Sequence, residues 1–216
     1  MVKNTKISIG IAIGTLVIGA FIFKKPISRA LFGATAFNLR ATNKAKKEWK
    51  KWQKGETKEG DEAIYDRLKS YWDSVGWSES RWTPSSVAWS GAFISHVMKE
   101  SGAKDDFKYS SSHSEYIRDA ISNKKNNTDK AFKGYKPSEL KLRKGDIVCA
   151  PRGGSSANYD STSSYKSHCD LVVSVKRNMA EMIGGNINHS VAMKNIELNK
   201  GKIIDSKYFV IIRNTR

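Results

Sequence analysis

Trp89-Ser90-Gly91-Ala92-Phe93, running on through Ile94 to Met98, is the stretch on which the reading of this chain turns. Pro84-Ser85-Ser86 supplies a turn and capping oxygens just before it. Trp89, Phe93, Ile94, Val97 and Met98 then recur at helical spacing. The pattern predicts an amphipathic core helix that ends at Ser101-Gly102, where glycine suits the left-handed turn past a helix end. Ser90 falls in its first turn, where backbone N–H groups lack intrahelical acceptors and the helix dipole is positive. A hydroxyl nucleophile there would have N–H donors at hand for a developing oxyanion. Serine is also common near helix starts as a cap, so position alone does not make Ser90 reactive.

On the N-terminal side, residues 61–75 carry Ile64, Leu68, Tyr71, Trp72 and Val75 on one face of a second helix. On the C-terminal side, residues 112–122 read as a shorter helix with Tyr116, Ile117, Ala120 and Ile121, and the polar stretch 123–136 as an exposed loop. After Lys144-Gly145-Asp146 the texture turns to strands at 147–150, 169–175, 179–183, 190–198 and 207–213. Helices followed by an antiparallel sheet predict an α+β domain over residues 61–216. The Gly-, Ser- and Tyr-rich segment 152–167 lies directly before His168, where it is placed to wall a cleft.

Residues 1–25 and 26–60 have a different texture. Ile7 opens and Phe23 closes a seventeen-residue stretch without charge, with Lys3 and Lys6 before it and Lys24 and Lys25 after it. At helical rise it spans roughly 26 Å, near the short end for a bilayer. A retained single-pass anchor through the lipid bilayer is expected over a cleaved signal peptide, because Lys24-Lys25-Pro26 follows in place of a small-residue cleavage site. Arg29, Arg40, Lys44, Lys46 and Lys47 put the positive excess after the span, so the large C-terminal part is expected on the cytoplasmic side. A phage protein inserted into a host-derived internal membrane would meet that orientation, as an alternative to a bacterial inner-membrane protein. Residues 26–60 are expected to be a basic juxtamembrane helix and linker, either lying on the membrane surface or bridging solvent.

The chain has 216 residues and a net charge of +17, which favours anionic partners such as a wall polymer, anionic lipid or nucleic acid. Charge alone supports the nucleic-acid reading, which ranks last. Cys149 and Cys169 are too few for a disulfide scaffold and show no metal spacing, so no metal or cofactor is expected. Both fall in predicted strands. Buried free thiols are the favoured reading, with a cross-strand disulfide left open.

A serine nucleophile needs a general base, and the base needs a third group to fix its tautomer. His96 lies on the far side of the Ser90 helix and is set aside, and His189 sits in an exposed turn. His113 opens the third helix. His168 begins the strand His168-Cys169-Asp170-Leu171-Val172-Val173, whose alternation groups His168 with Asp170. Ser90, His168 and either Asn186 or Asp170 would make a catalytic set if helix and sheet pack face to face.

Ala88-Trp89-Ser90-Gly91-Ala92-Phe93-Ile94-Ser95 resembles the helix motif of CHAP amidase/endopeptidase domains, relatives of the NlpC-type wall peptidases. Lys144-Gly145-Asp146-Ile147-Val148 resembles their entry to the first strand, and His168 with Leu171-Val172-Val173 their histidine strand. Ile183-Gly184-Gly185-Asn186 resembles the turn after the next strand. A serine-containing bacterial branch with His-Cys-Asp and an upstream His-x-x-Tyr is similar too, as at His113 and Tyr116. The resemblance implies a papain-like fold and cleavage of amide bonds in peptidoglycan by acyl transfer. It places Ser90 where the family has cysteine, His168 as base, Asn186 as orienting group with Asp170 assisting, and Trp89, Gly91, His113, Tyr116 and Tyr165 against substrate. Serine cannot be stored as its anion beside an imidazolium, as a thiol with pKa ~8.5 can, so its base must be better placed. The leading expectation is therefore a membrane-anchored peptidoglycan hydrolase, as in a phage lytic protein. The alternative is an inactive wall-binding or structural virion protein on the same fold.

Overall fold

The computed structural model describes residues 36–216. Its helices come first: α1 (Ala36–Lys51), α2 (Tyr65–Asp73), α3 (Ser90–Glu100) and α4 (His113–Lys125). The strands are β1 (Phe132–Tyr135), β2 (Ile147–Pro151), β3 (Ser167–Val175), β4 (Met179–Ile187), β5 (Ser190–Asn199), β6 (Lys202–Ile203) and β7 (Val210–Asn214). They pair antiparallel in the order β1-β7-β2-β3-β4-β5-β6. The sheet curls, so both of its faces are covered. The helices lie against Ile147, Leu171, Ile183 and Ile212, while Val148, Val172, Met182 and Ile211 form a second cluster behind. β1 lies inside the segment expected to be loop. Four residues are too few to show a period of two, and only pairing with β7 makes them a strand.

The α+β class is observed, but the papain-like domain behind a transmembrane helix is corrected. The described chain is four helices on one curled seven-stranded sheet, and α1 belongs to its core and is no spacer. Phe37, Ala41 and Ala45 recur at four-residue intervals and are buried, leaving the lysines to the opposite face. Glu48 on the buried side accepts a hydrogen bond from Tyr71 Oη at 2.7 Å and faces Lys44 and Arg67 at 3.4 and 3.5 Å. Tyr71 in turn accepts from Trp52 Nε1 at 2.9 Å. Among the described residues no helix is long and apolar enough to cross a membrane. The span expected from Ile7 to Phe23 lies outside those residues.

The favoured reading of free thiols is also corrected. β2 and β3 set Cys149 directly opposite Cys169, with Cα atoms 4.1 Å apart, and the two are joined as a buried disulfide. Cys169 faces the helical layer, in one cluster with Trp89 and Phe93, and not away from the Ser90 helix. The Gly145-Asp146 motif has a structural role. Asp146 is buried and receives two hydrogen bonds from Arg213, Nε at 2.8 Å and Nη2 at 2.6 Å, which fasten β7 to the start of β2.

α3 packs against α1, α2, β3 and β4, with Ala92, Phe93, Ile94, Val97 and Met98 fully buried. His96 on its far side is buried between helices, with Nδ1 3.2 Å from the Ser70 carbonyl and 2.9 Å from Ser74 Oγ. The carbonyl can only accept, so the ring proton resides on Nδ1. Burial lowers this imidazole to about 4. Its folded value lies below the unfolded one near 6.5, so protonation favours the unfolded chain. Full stability holds above about pH 6.5 and falls as pH drops toward 4, by about 3 kcal/mol from this group. The check is His96 proton NMR: its ring signals should stay in the neutral position down to about pH 4, and a midpoint near 6.5 would contradict the burial argument.

Candidate active site

The Ser90 hydroxyl lies at the first turn of α3, and its hydrogen-bond partner is His113: Ser90 Oγ stands 2.6 Å from His113 Nε2. The path of the chain explains the meeting. Ser95, one turn along α3, donates to the Ser110 carbonyl at 2.8 Å and accepts from the Ser110 amide at 3.0 Å. That double tie lays residues 110–112 against α3, so α4 opens with the His113 ring beside Ser90. Gly91 permits the approach. A methyl group there would meet the Ser111 carbonyl, whose carbon lies 2.6 Å from its place. Behind the ring, Tyr116 Oη bonds His113 Nδ1. Burial first, then the positive charge of His168, Arg152 and Lys194, pushes the His113 imidazole well below its usual range. It is therefore neutral at neutral pH. Burial and the nearby Asp170 carboxylate push the Tyr116 phenol well above its usual range, so it keeps its proton.

His168 takes a different partner. The β3–β4 ladder starts only at Leu171↔Ile183, so residues 167–170 have β2 on one side and no β4 neighbour on the other. His168 Nε2 lies 2.9 Å from Asp170 Oδ1, and Asp170 Oδ2 lies 2.6 Å from Lys194 Nζ. Burial raises the Asp170 carboxyl, but His168 and Lys194 outweigh it and hold the group below the usual carboxylate range. Gly184 faces this pair, and a Cβ there would lie 3.1 Å from His168 Nε2 and closer still to Asp170 Oδ1. The His168 ring reaches to within 5.4 Å of the His113 ring, centroid to centroid. Both histidines thus belong to one cluster, with His113 and not His168 on the serine.

The other expected site residues are dispersed. Asn186 sits where the β4–β5 ladder breaks, with φ 55°, a backbone state that asparagine tolerates better than most residues. The hydrogen bond it was expected to give His168 is made by Asp170. Trp89 is buried, stacked on Trp52 at 4.9 Å with its Nε1–H directed to Glu59, so it is core and not cleft wall. Gly91 packs against the Ser111 carbonyl. Gly185 gives β4 similar closeness to α3, with Phe93 Cβ 2.5 Å from where its Cβ would stand. Tyr116 backs His113, and Tyr165 does line the cleft. His189 pairs through Nδ1 with the buried Glu59 at 2.7 Å.

A cleft of about 360 Å³ opens onto Ser90 and His113. Its walls are Ser111, Ser112 and the segment from Ser164 to Ser167, with Arg152 at the rim. Arg152, Lys166 and Ser167 carry no motif, and only the placement of their segment before His168 pointed toward them. Lys194 gave no signal, since its meeting with Asp170 depends on the register of β5 against β4. Among the described residues no cluster of three or more His, Cys, Asp or Glu could hold a metal.

No curated protein and no solved structure matches this chain. One family model does, over residues 48–213, which spans α2–α4, β1–β6 and all but the last residue of β7. The chain therefore belongs to the DUF2272 family, described as uncharacterized protein conserved in bacteria.

Proposed function

We propose that this protein hydrolyses amide bonds by acyl transfer, with Ser90 as nucleophile and His113 as base, and that its substrates are the peptides of bacterial peptidoglycan. The observation that carries the chemistry is the 2.6 Å contact between Ser90 Oγ and His113 Nε2 on an open cleft. The wall substrate rests on the resemblance of the α3, histidine-strand and Gly-Gly-Asn segments to wall peptidases. In the attack step, Oγ bonds to the carbonyl carbon as its proton passes to Nε2, and the first-turn amides of α3 face the oxyanion. Collapse breaks the C–N bond, and the amine leaves with that proton. Water then repeats the sequence on the acyl-serine and releases the acid.

For Nε2 to receive a proton, the resting ring must carry its own on Nδ1, donated to Tyr116 Oη. One neutral hydrogen bond is worth roughly 1 kcal/mol, so Tyr116→Phe should lower kcat about fivefold with KM little changed. Kinetics on purified peptidoglycan, read as released amino groups, measure this. An unchanged kcat means that Tyr116 does not orient the base.

A second reading has its own support. Tyr116 is a phenol and, unlike a carboxylate, can donate to Nδ1. The ring proton then sits on Nε2 and points at Ser90, which suits a binding module better than a hydrolase. Nitrogen-15 NMR of the His113 ring separates the two, and a proton on Nε2 throughout the neutral range would sink the base role.

A further inference from the structure

We infer that the Ser90 cleft is a carboxylate-binding site: Arg152, Lys166, Tyr165 and Ser167 receive a free carboxylate of an acyl-peptide substrate and so set which amide reaches Ser90. This deepens the hydrolase reading and rests on it for the word substrate, but not for the binding.

Among the described residues the cleft wall holds two cations and no carboxylate. Arg152 and Lys166 are held side by side at its rim, the Arg152 amide donating to the Lys166 carbonyl at 3.2 Å. Some exposed cations here have acidic partners, such as Lys69 with Asp73, Lys125 with Asp160 and Arg216 with Asp106. Arg152 and Lys166 are in no ion pair among the described residues. Unpaired cations of like sign at one rim repel each other, and an anion between them removes that repulsion.

Two further groups make the site more than a charged rim. Ser167 is only 4% exposed, yet its Oγ has no hydrogen-bond partner among the described residues, and Tyr165 Oη is likewise buried and unpaired among them. A buried hydroxyl without a partner is uncommon, and both of these belong to residues lining the cleft. Burial pushes the Tyr165 phenol up to about 12, so it stays a donor at neutral pH. Arg152, Lys166, Tyr165 and Ser167 all line this cleft, and a guanidinium, an ammonium and two hydroxyls are a donor set that a carboxylate, with two oxygens and about four lone-pair sites, can satisfy. The volume of about 360 Å³ falls among small-ligand sites, which run roughly 300–1,000 Å³.

The test compares two probes that differ in one group, acetyl-alanyl-alanine and its carboxamide, by calorimetric titration of the full chain. The acid should bind at least about tenfold more tightly, and Arg152→Gln or Lys166→Gln should each remove most of that preference without moving the unfolding temperature. Equal affinities overturn the inference, as does a preference that survives both substitutions. Inorganic phosphate displacing the acid at equal or lower concentration also overturns it, in favour of a phosphate site. Repeating the titration with Ser90→Ala separates the two proposals. Acid preference without any hydrolysis by the wild type leaves this site standing and removes the hydrolase, whereas hydrolysis of acid and carboxamide peptides alike does the reverse.

Discussion

Ser90→Ala is expected to bring amide hydrolysis to background, a loss on the order of 10⁴-fold or more in kcat, since members of a nucleophile–base pair each cost nearly the whole effect. His113→Ala should be as severe, because Nε2 is the nitrogen in contact with the hydroxyl. His168→Ala should cost far less, about tenfold, and should leave a distinct mark. Its ring is one of the groups pushing His113 down, so removing it should move the acid limb of the pH–rate profile upward. The decisive comparison is between the two histidine variants on one substrate. Full loss in His168→Ala with activity kept in His113→Ala would falsify the assignment of the base, and would return that role to the strand histidine paired with Asp170.

The second large effect concerns folding. Gly91→Ala would place a methyl group against the Ser111 carbonyl, backbone against backbone, with no flexible side chain to give way. Overpacking of that kind costs about 3 kcal/mol. For a chain of this size, that is a fall of roughly 10 °C in unfolding temperature. Gly60→Ala serves as the control, because nothing lies within 4 Å of its added methyl, and it should be close to neutral. Calorimetry on both variants tests the point. A Gly91→Ala protein as stable as wild type would mean that residues 111–113 are free to move from α3, and the Ser90–His113 contact with them.

How far these features were legible depended on whether a local period carried them. α3 was readable to within a residue, from Trp89, Phe93, Val97 and the Ser101-Gly102 stop, because a helical face repeats within the segment itself. The main strands were readable for the same reason, at the cost of their ends: β4 runs to Ile187 and β3 begins at Ser167. β1 was not, since its identity resides in β7. α1 was misplaced because its lysine content outweighed the Phe37, Ala41, Ala45 spacing that buries it. In the site, Ser90 and both histidines were singled out from residue chemistry, yet the pairing among them was assigned by the order of motifs along the chain. The structure pairs serine with the histidine 23 positions on, through a loop held by Ser95.

The sequence by itself determined the order of elements, the buried face of α3, the α+β class and the small set of groups with useful chemistry. All of these follow from side-chain type and short-range spacing. Only the tertiary structure decided that Cys149 meets Cys169, that Asp170 meets Lys194, and that His113 is the residue on Ser90. Each of those depends on strand register or on how closely two backbones approach, and a shift of one residue in register would turn every side chain concerned to the opposite face.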